Sequence, residues 1–131
     1  MTLVADASVV VAALVDSGPE GAWAERMLRS DHVGAPHLMP AEVANLLRRA
    51  VFAGKISEDT AALAHADLVA IRVELFPYAP FAERVWELRT TVTAYDAWYV
   101  ALAETLEARL ATLDVKLSRA PGPRCAFAVP S

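Results

Sequence analysis

Four acidic residues stand where a carboxylate can do chemistry: Asp6, Glu42, Asp96 and Asp114. Asp6 directly follows the apolar run Leu3-Val4-Ala5, and Asp114 directly follows Leu110-Ala111-Thr112-Leu113. Glu42 (in Pro40-Ala41-Glu42) and Asp96 (in Thr93-Ala94-Tyr95-Asp96) fall in the first turns of predicted helices. No Lys or Arg lies within two residues of Asp6, Glu42 or Asp96, and Lys116 is two residues from Asp114. Carboxylates brought together repel one another and must be neutralised by protons or a cation. A set of carboxylate oxygens suits a hard divalent ion, Mg²⁺ or Mn²⁺, whereas zinc calls for Cys or His. Such ions activate water and stabilise in-line displacement at phosphorus, so phosphodiester hydrolysis is the leading chemistry.

Each acid also has a purely structural use. Asp6 and Asp114 can cap the helices that follow them, and Glu42 in a first turn favours the helix dipole. Thr93 and Asp96 have capping-box spacing. What favours chemistry is the combination: two strand ends each close in Asp, and Asp96 sits among Tyr95, Ala97 and Trp98, where a spare charge is costly.

The elements that must position these acids follow from the apolar pattern. Leu3 to Ala5 reads as a buried strand and residues 8–15 as a helix, punctuated by Gly18-Pro19. A helix over Glu20–Arg29 and a strand over His32–Ala35, closed by Pro36, come next. Pro40 opens a helix running to about Phe52 and ended by Gly54. Ser57 caps another helix, whose apolar positions are Leu63, Ala66, Leu68 and Ala70. A strand over Val73–Phe76, a helix from Phe81 to about Arg89, and a helix from Thr93 through Glu107 follow, the last with Trp98, Leu102 and Leu106 facing inward. A strand over Leu110–Leu113, a helical turn over Val115–Arg119 and a final strand within Cys125–Val129 complete the chain. Alternating strands and helices predict one α/β domain over residues 1–131, with a mostly parallel sheet and helices on both faces. In such sheets the carboxyl ends of the strands form the site, so all four acids can converge there.

Three segments, VADAS, PAEVANLLRRA and TAYDAWYVALAETLEARLATLD, resemble in order and spacing the PIN-domain ribonucleases of the VapC toxin type. The resemblance covers nearly the whole chain, and the last segment is its most specific part. It implies a three-layer, flavodoxin-like sandwich with a parallel sheet of about five short strands. It implies a Mg²⁺- or Mn²⁺-dependent endoribonuclease, the toxin of a type II toxin–antitoxin pair, acting on structured RNA such as tRNA or rRNA. The family's acidic residues fall on Asp6, Glu42, Asp96 and Asp114, and its hydroxyl positions on Ser8 and Thr112. Asp6, Asp96 and Asp114 are expected to hold the metal, with Glu42 completing the set or orienting the attacking water. Ser8 and Thr112 are expected to hold carboxylates or water, or else merely to cap a helix and fill a strand. The acid that some members carry shortly after the fourth is absent here. The resemblance also implies a homodimer and a cognate VapB-type antitoxin, for which Val10, Leu14, Trp23 and Leu46 are the expected contacts.

The remaining composition is consistent with this. The 131 residues carry 12 Lys and Arg against 16 Asp and Glu, a net charge of −4. Without the four site acids, acidic and basic counts are equal, so the excess matches the proposed site. Lys116, Arg119 and Arg124 are the first choice for RNA phosphate contacts. The longest stretch free of charged residues is ten residues, His32–Ala41, too short to span a membrane. The apolar residues 7–15 lack a preceding basic region, which argues against a secretory leader. The lone Cys125 fits a reducing compartment, and a cytoplasmic location is expected. His37 and the two other histidines lack metal-helix spacing. Two rival readings are a phosphoacceptor domain, which wants adjacent acids after the first strand and a Lys after the last, and a non-catalytic module whose acids only cap helices. Asp6 has no acidic neighbour, and residues 125–131 contain no Lys.

Overall fold

The computed structural model describes residues 1–131 and centres on a five-stranded parallel sheet. Its strands are β1 (Thr2–Ala5), β2 (His32–Pro36), β3 (Glu74–Phe76), β4 (Arg109–Ala111) and β5 (Phe127–Ala128), ordered β3-β2-β1-β4-β5. β1 is central, pairing Leu3 with Val33 on one side and Val4 with Leu110 on the other. The inner strands are short and mostly apolar because both of their faces are covered: Val4 and Leu110 are 0% exposed, whereas the edge strand β3 is largely exposed. The sequence of alternating strands and helices therefore predicts the architecture correctly. The final strands are shorter than expected, although the Thr112 amide still donates to the Ala128 carbonyl at 3.0 Å.

One layer of helices is α1 (Ala7–Val15), α2 (Pro19–Leu28), α3 (Met39–Phe52) and α4 (Glu58–Ala70), which pack on one another. On the other side, α6 (Ala94–Leu106) lies against β1, β2 and β4, and α5 (Ala82–Glu87) packs on α6. A short α7 (Val115–Ser118) follows β4. No helix is long and apolar enough to cross a membrane.

Helix α6 approaches the sheet closely because its buried face includes Ala97, Ala101 and Ala103. It ends at Glu107, which takes a left-handed conformation with φ 52°. Helix α1 is apolar all round and is gripped by α2, α3 and α4. The expectation that Val10 is an exposed partner contact fails for that reason: Val10 is fully buried, and Leu14, Trp23 and Leu46 are only half-buried. The corner from α1 into α2 is tighter still. A Cβ at Gly21 would sit 1.8 Å from the Asp16 carbonyl oxygen, so only glycine fits there. Helix α4 turns Ala64 and Leu68 inward and leaves Leu63 69% exposed, so its apolar positions are not one buried stripe.

Candidate active site

Because the five strands run the same way, their carboxyl ends share one rim. The order of connections reverses between β1 and β4, the place where open α/β sheets form their sites. Asp6 leaves the end of β1 there, and its amide donates to the Ala111 carbonyl of β4 at 3.1 Å. Asp6 is also the N-cap of α1, accepting from the Val9 amide at 3.2 Å. The structural and chemical uses of this residue are thus compatible. The cap occupies Oδ1, which also accepts from the Ser8 hydroxyl at 2.5 Å.

Asp114 repeats the arrangement beyond β4, capping α7 through Leu117 at 3.1 Å. Its own amide donates to the Thr112 hydroxyl at 2.9 Å. The Ser8 hydroxyl in turn accepts from the Leu113 amide at 3.2 Å, so it ties the β1 turn to the β4 turn. Both hydroxyl residues therefore support the acids: Ser8 holds the Asp6 carboxylate, and Thr112 holds the Asp114 main chain. Asp96 lies in the first turn of α6, where the Thr93 hydroxyl caps its amide at 3.1 Å. Glu42 lies in the first turn of α3.

The electrostatics show that these four acids share one neighbourhood. Burial pushes the Asp6 carboxyl above the usual range, opposed by the hydroxyls of Ser8 and Thr112 and the amides of Val9 and Ser8. Burial also pushes Asp96 up, and the charges of Asp6 and Asp114 add to it. Glu42 is raised by burial, with the Tyr99 hydroxyl pulling it down and the charges of Asp96 and Asp6 pushing it up. None of the molecule's ion pairs includes any of the four. No three of its His, Cys, Asp and Glu side chains are drawn into one close ligand set. Like charges without ion-pair partners repel unless a cation or protons neutralise them.

The donor set fits a hard divalent cation. It consists of carboxylate oxygens without Cys or His, and it includes a nearly buried carboxylate, Asp6, that has no positive partner in the protein. Beside it, an open groove of about 360 Å³ is lined by Thr93, Asp96, Asp114 and Lys116 among others. Lys116 is on the wall of this groove, and Arg119, three residues later, is exposed. Arg124 lies elsewhere. It precedes β5 and donates its amide to Glu104 at 2.7 Å, on the amino rim, opposite the acids. His37 is exposed after β2. Cys125 is half-buried, and burial pushes its thiol up to about 11, which keeps it protonated.

Tyr99 reads in the sequence as core or as part of a protein–protein surface, and the structure instead brings it to Glu42. Its ring is 2% exposed, and its hydroxyl donates to Glu42 Oε1 at 2.7 Å. The only sequence signal is its position three residues after Asp96, on the same face of α6.

The model of the family described as PIN domain matches residues 3–123. Ribonuclease VapC1 of Mycobacterium tuberculosis is 42% identical over 123 residues, which span 93% of this chain and 92% of that protein. Among solved structures, Mycobacterium tuberculosis VapC20, described as a sarcin-ricin loop cleaving toxin, superposes with a TM-score of 0.67 at 19% identity, covering 89% of this chain and 93% of that one. VapBC2 from Rickettsia felis, bound to a DNA fragment from its promoter, superposes with a TM-score of 0.68 at 17% identity and covers 98% of both chains. At those identities the two structures establish the fold alone.

Proposed function

This chain belongs to the PIN-domain family, and from that membership we propose that it is an endoribonuclease toxin of the VapC type, dependent on Mg²⁺ or Mn²⁺. The observation that carries the reading is the gathering of Asp6, Glu42, Asp96 and Asp114 on one rim, with no basic side chain paired to them. Asp6, Asp96 and Asp114 would hold the ion, and Glu42 would complete the set or orient the attacking water. A bound divalent ion supplies Lewis-acid stabilisation of charge at phosphorus and makes water a stronger acid. The chain's own contribution is rigidity. Asp6 and Asp114 are each fixed by the helix they cap, and Ser8 locks the two turns together. Water attack without help from the ribose 2′-hydroxyl leaves a 5′-phosphate and a 3′-hydroxyl.

The substrate class we propose is structured RNA such as tRNA or rRNA, in keeping with the sarcin-ricin loop named for one structural relative. Lys116 on the groove wall is the phosphate contact of choice, with Arg119 behind it. Neutralisation by a VapB-type antitoxin is supported by the toxin–antitoxin complex among the structural neighbours, and a homodimer is the expected assembly.

The test is to sequence cellular RNA ends after inducing the wild type and Asp6→Asn side by side. New 5′-phosphate ends at discrete sites are expected with the wild type only. Identical end profiles for the two would refute the assignment.

A further inference from the structure

We propose that Tyr99 is a positioning residue of the cleavage site, its hydroxyl holding the Glu42 carboxylate in place against α6. The inference rests on the nuclease reading above and adds a residue to it. Asp6 and Asp114 are anchored by main-chain amides of the turns they cap. Glu42 has no such anchor. The single hydrogen bond its carboxylate accepts from the protein comes from Tyr99, 57 residues away in sequence, at 2.7 Å. A glutamate has three side-chain torsions to order, and ordering them costs free energy that must be offset by contacts. A tyrosine ring clamped at 2% exposure is a rigid donor that supplies such a contact.

The chemistry of the donor matters as much as its geometry. An Arg or Lys in this place would neutralise Glu42. A phenol hydroxyl orients one oxygen and leaves the negative charge available to a cation or a water. Burial and the Glu42 charge both keep the phenol protonated, so it remains a donor. Its register is set by Asp96: a residue three positions later on α6 points to the same rim, where the first turn of α3 brings Glu42. Were Tyr99 there only to fill the core, Phe would pack as well without burying a hydroxyl.

The experiment uses the full chain as wild type, Tyr99→Phe, Glu42→Ala and the double variant. Mn²⁺ binding is measured by calorimetry without RNA, and kcat and KM are measured on the RNA cleaved by the wild type. Tyr99→Phe should lower Mn²⁺ affinity or kcat by about tenfold with KM for RNA unchanged. In the Glu42→Ala background, Tyr99→Phe should change nothing further. All values are scored per folded molecule at a temperature where each variant is folded, so lost stability cannot imitate the effect. Wild-type Mn²⁺ affinity and kcat in Tyr99→Phe, or independent effects that multiply in the double variant, would overturn the proposal. A wild type that neither binds Mn²⁺ nor cleaves RNA would instead sink the nuclease reading, and this inference with it.

Discussion

Helix α6 carries two carboxylates with opposite fates. Asp96, in its first turn, has acids for neighbours and forms no ion pair, and its carboxyl is held above the usual range by burial and by Asp6 and Asp114. Glu104, near its end, is gripped by Arg84 through two hydrogen bonds of 2.8 and 3.1 Å and by the Arg124 amide at 2.7 Å. Burial works against it, but those partners hold its carboxyl below the usual range. Arg84 also donates to the Gly122 carbonyl at 2.9 Å, so the pair ties α5, α6 and the segment before β5 together. One rim of the sheet spends charge on cohesion, and the other keeps unpaired charge that works against cohesion. The contrast separates function from stability on a single helix.

Swapping the two ends should therefore produce crossed effects. The largest is expected for Asp96→Asn, which should cut cleavage by about two to three orders of magnitude while leaving the melting temperature unchanged or higher. Glu104→Ala should do the reverse. It should lower stability in denaturant titrations by about 1–3 kcal/mol, because Arg84 loses its main partner, and leave cleavage per folded molecule intact. If Glu104→Ala abolished cleavage in a fully folded protein, the division between the rims would be broken.

A smaller effect sharpens the same comparison. Mg²⁺ or Mn²⁺ at about a hundred times its dissociation constant should stabilise the wild type by about 2.7 kcal/mol, read as a rise in melting temperature. The rise should persist in Glu104→Ala and vanish in Asp6→Asn. The smallest effect is the pH response in EDTA. Asp6, Glu42 and Asp96 have folded pKa values above their ordinary 3.8, 4.5 and 3.8. Their stabilisation is full below those ordinary values and is lost as pH rises through the raised ones. Glu104 has the opposite sign, stabilising above 4.5 and failing as pH falls through its lowered value. Acidifying from neutral to the ordinary carboxylate range, about pH 4, should thus raise the melting temperature of the wild type more than that of Asp6→Asn. Equal responses would show that Asp6 is not under the strain assigned to it.

The sheet and its acidic rim were legible in the sequence because they depend on local signals. Short apolar runs closed by Asp6 and Asp114, a proline-led helix carrying Glu42, and the Thr93 cap before Asp96 all state their places within a few residues. What was not legible depends on how distant segments pack. Tyr99 looks like one more apolar residue of α6 until α3 brings Glu42 against it. Arg124 is near Asp114 in sequence, yet it is placed at the far rim because β5 must run parallel to β4. Val10 could be judged exposed only while α1 was imagined on the surface, and the helices around it decide otherwise.

The Gly21 corner extends the set of positions on which the site depends. A methyl group there meets the main chain of Asp16, at the end of the helix whose other end is capped by Asp6. Relieving that clash means moving α2 or shifting α1, and α1 carries the Asp6 turn with it. Inactivating mutations in this chain therefore need not fall on charged residues. An Ala at position 21 touches no carboxylate and no RNA, yet it threatens the same turn as the loss of Asp6, through lack of space rather than lack of charge.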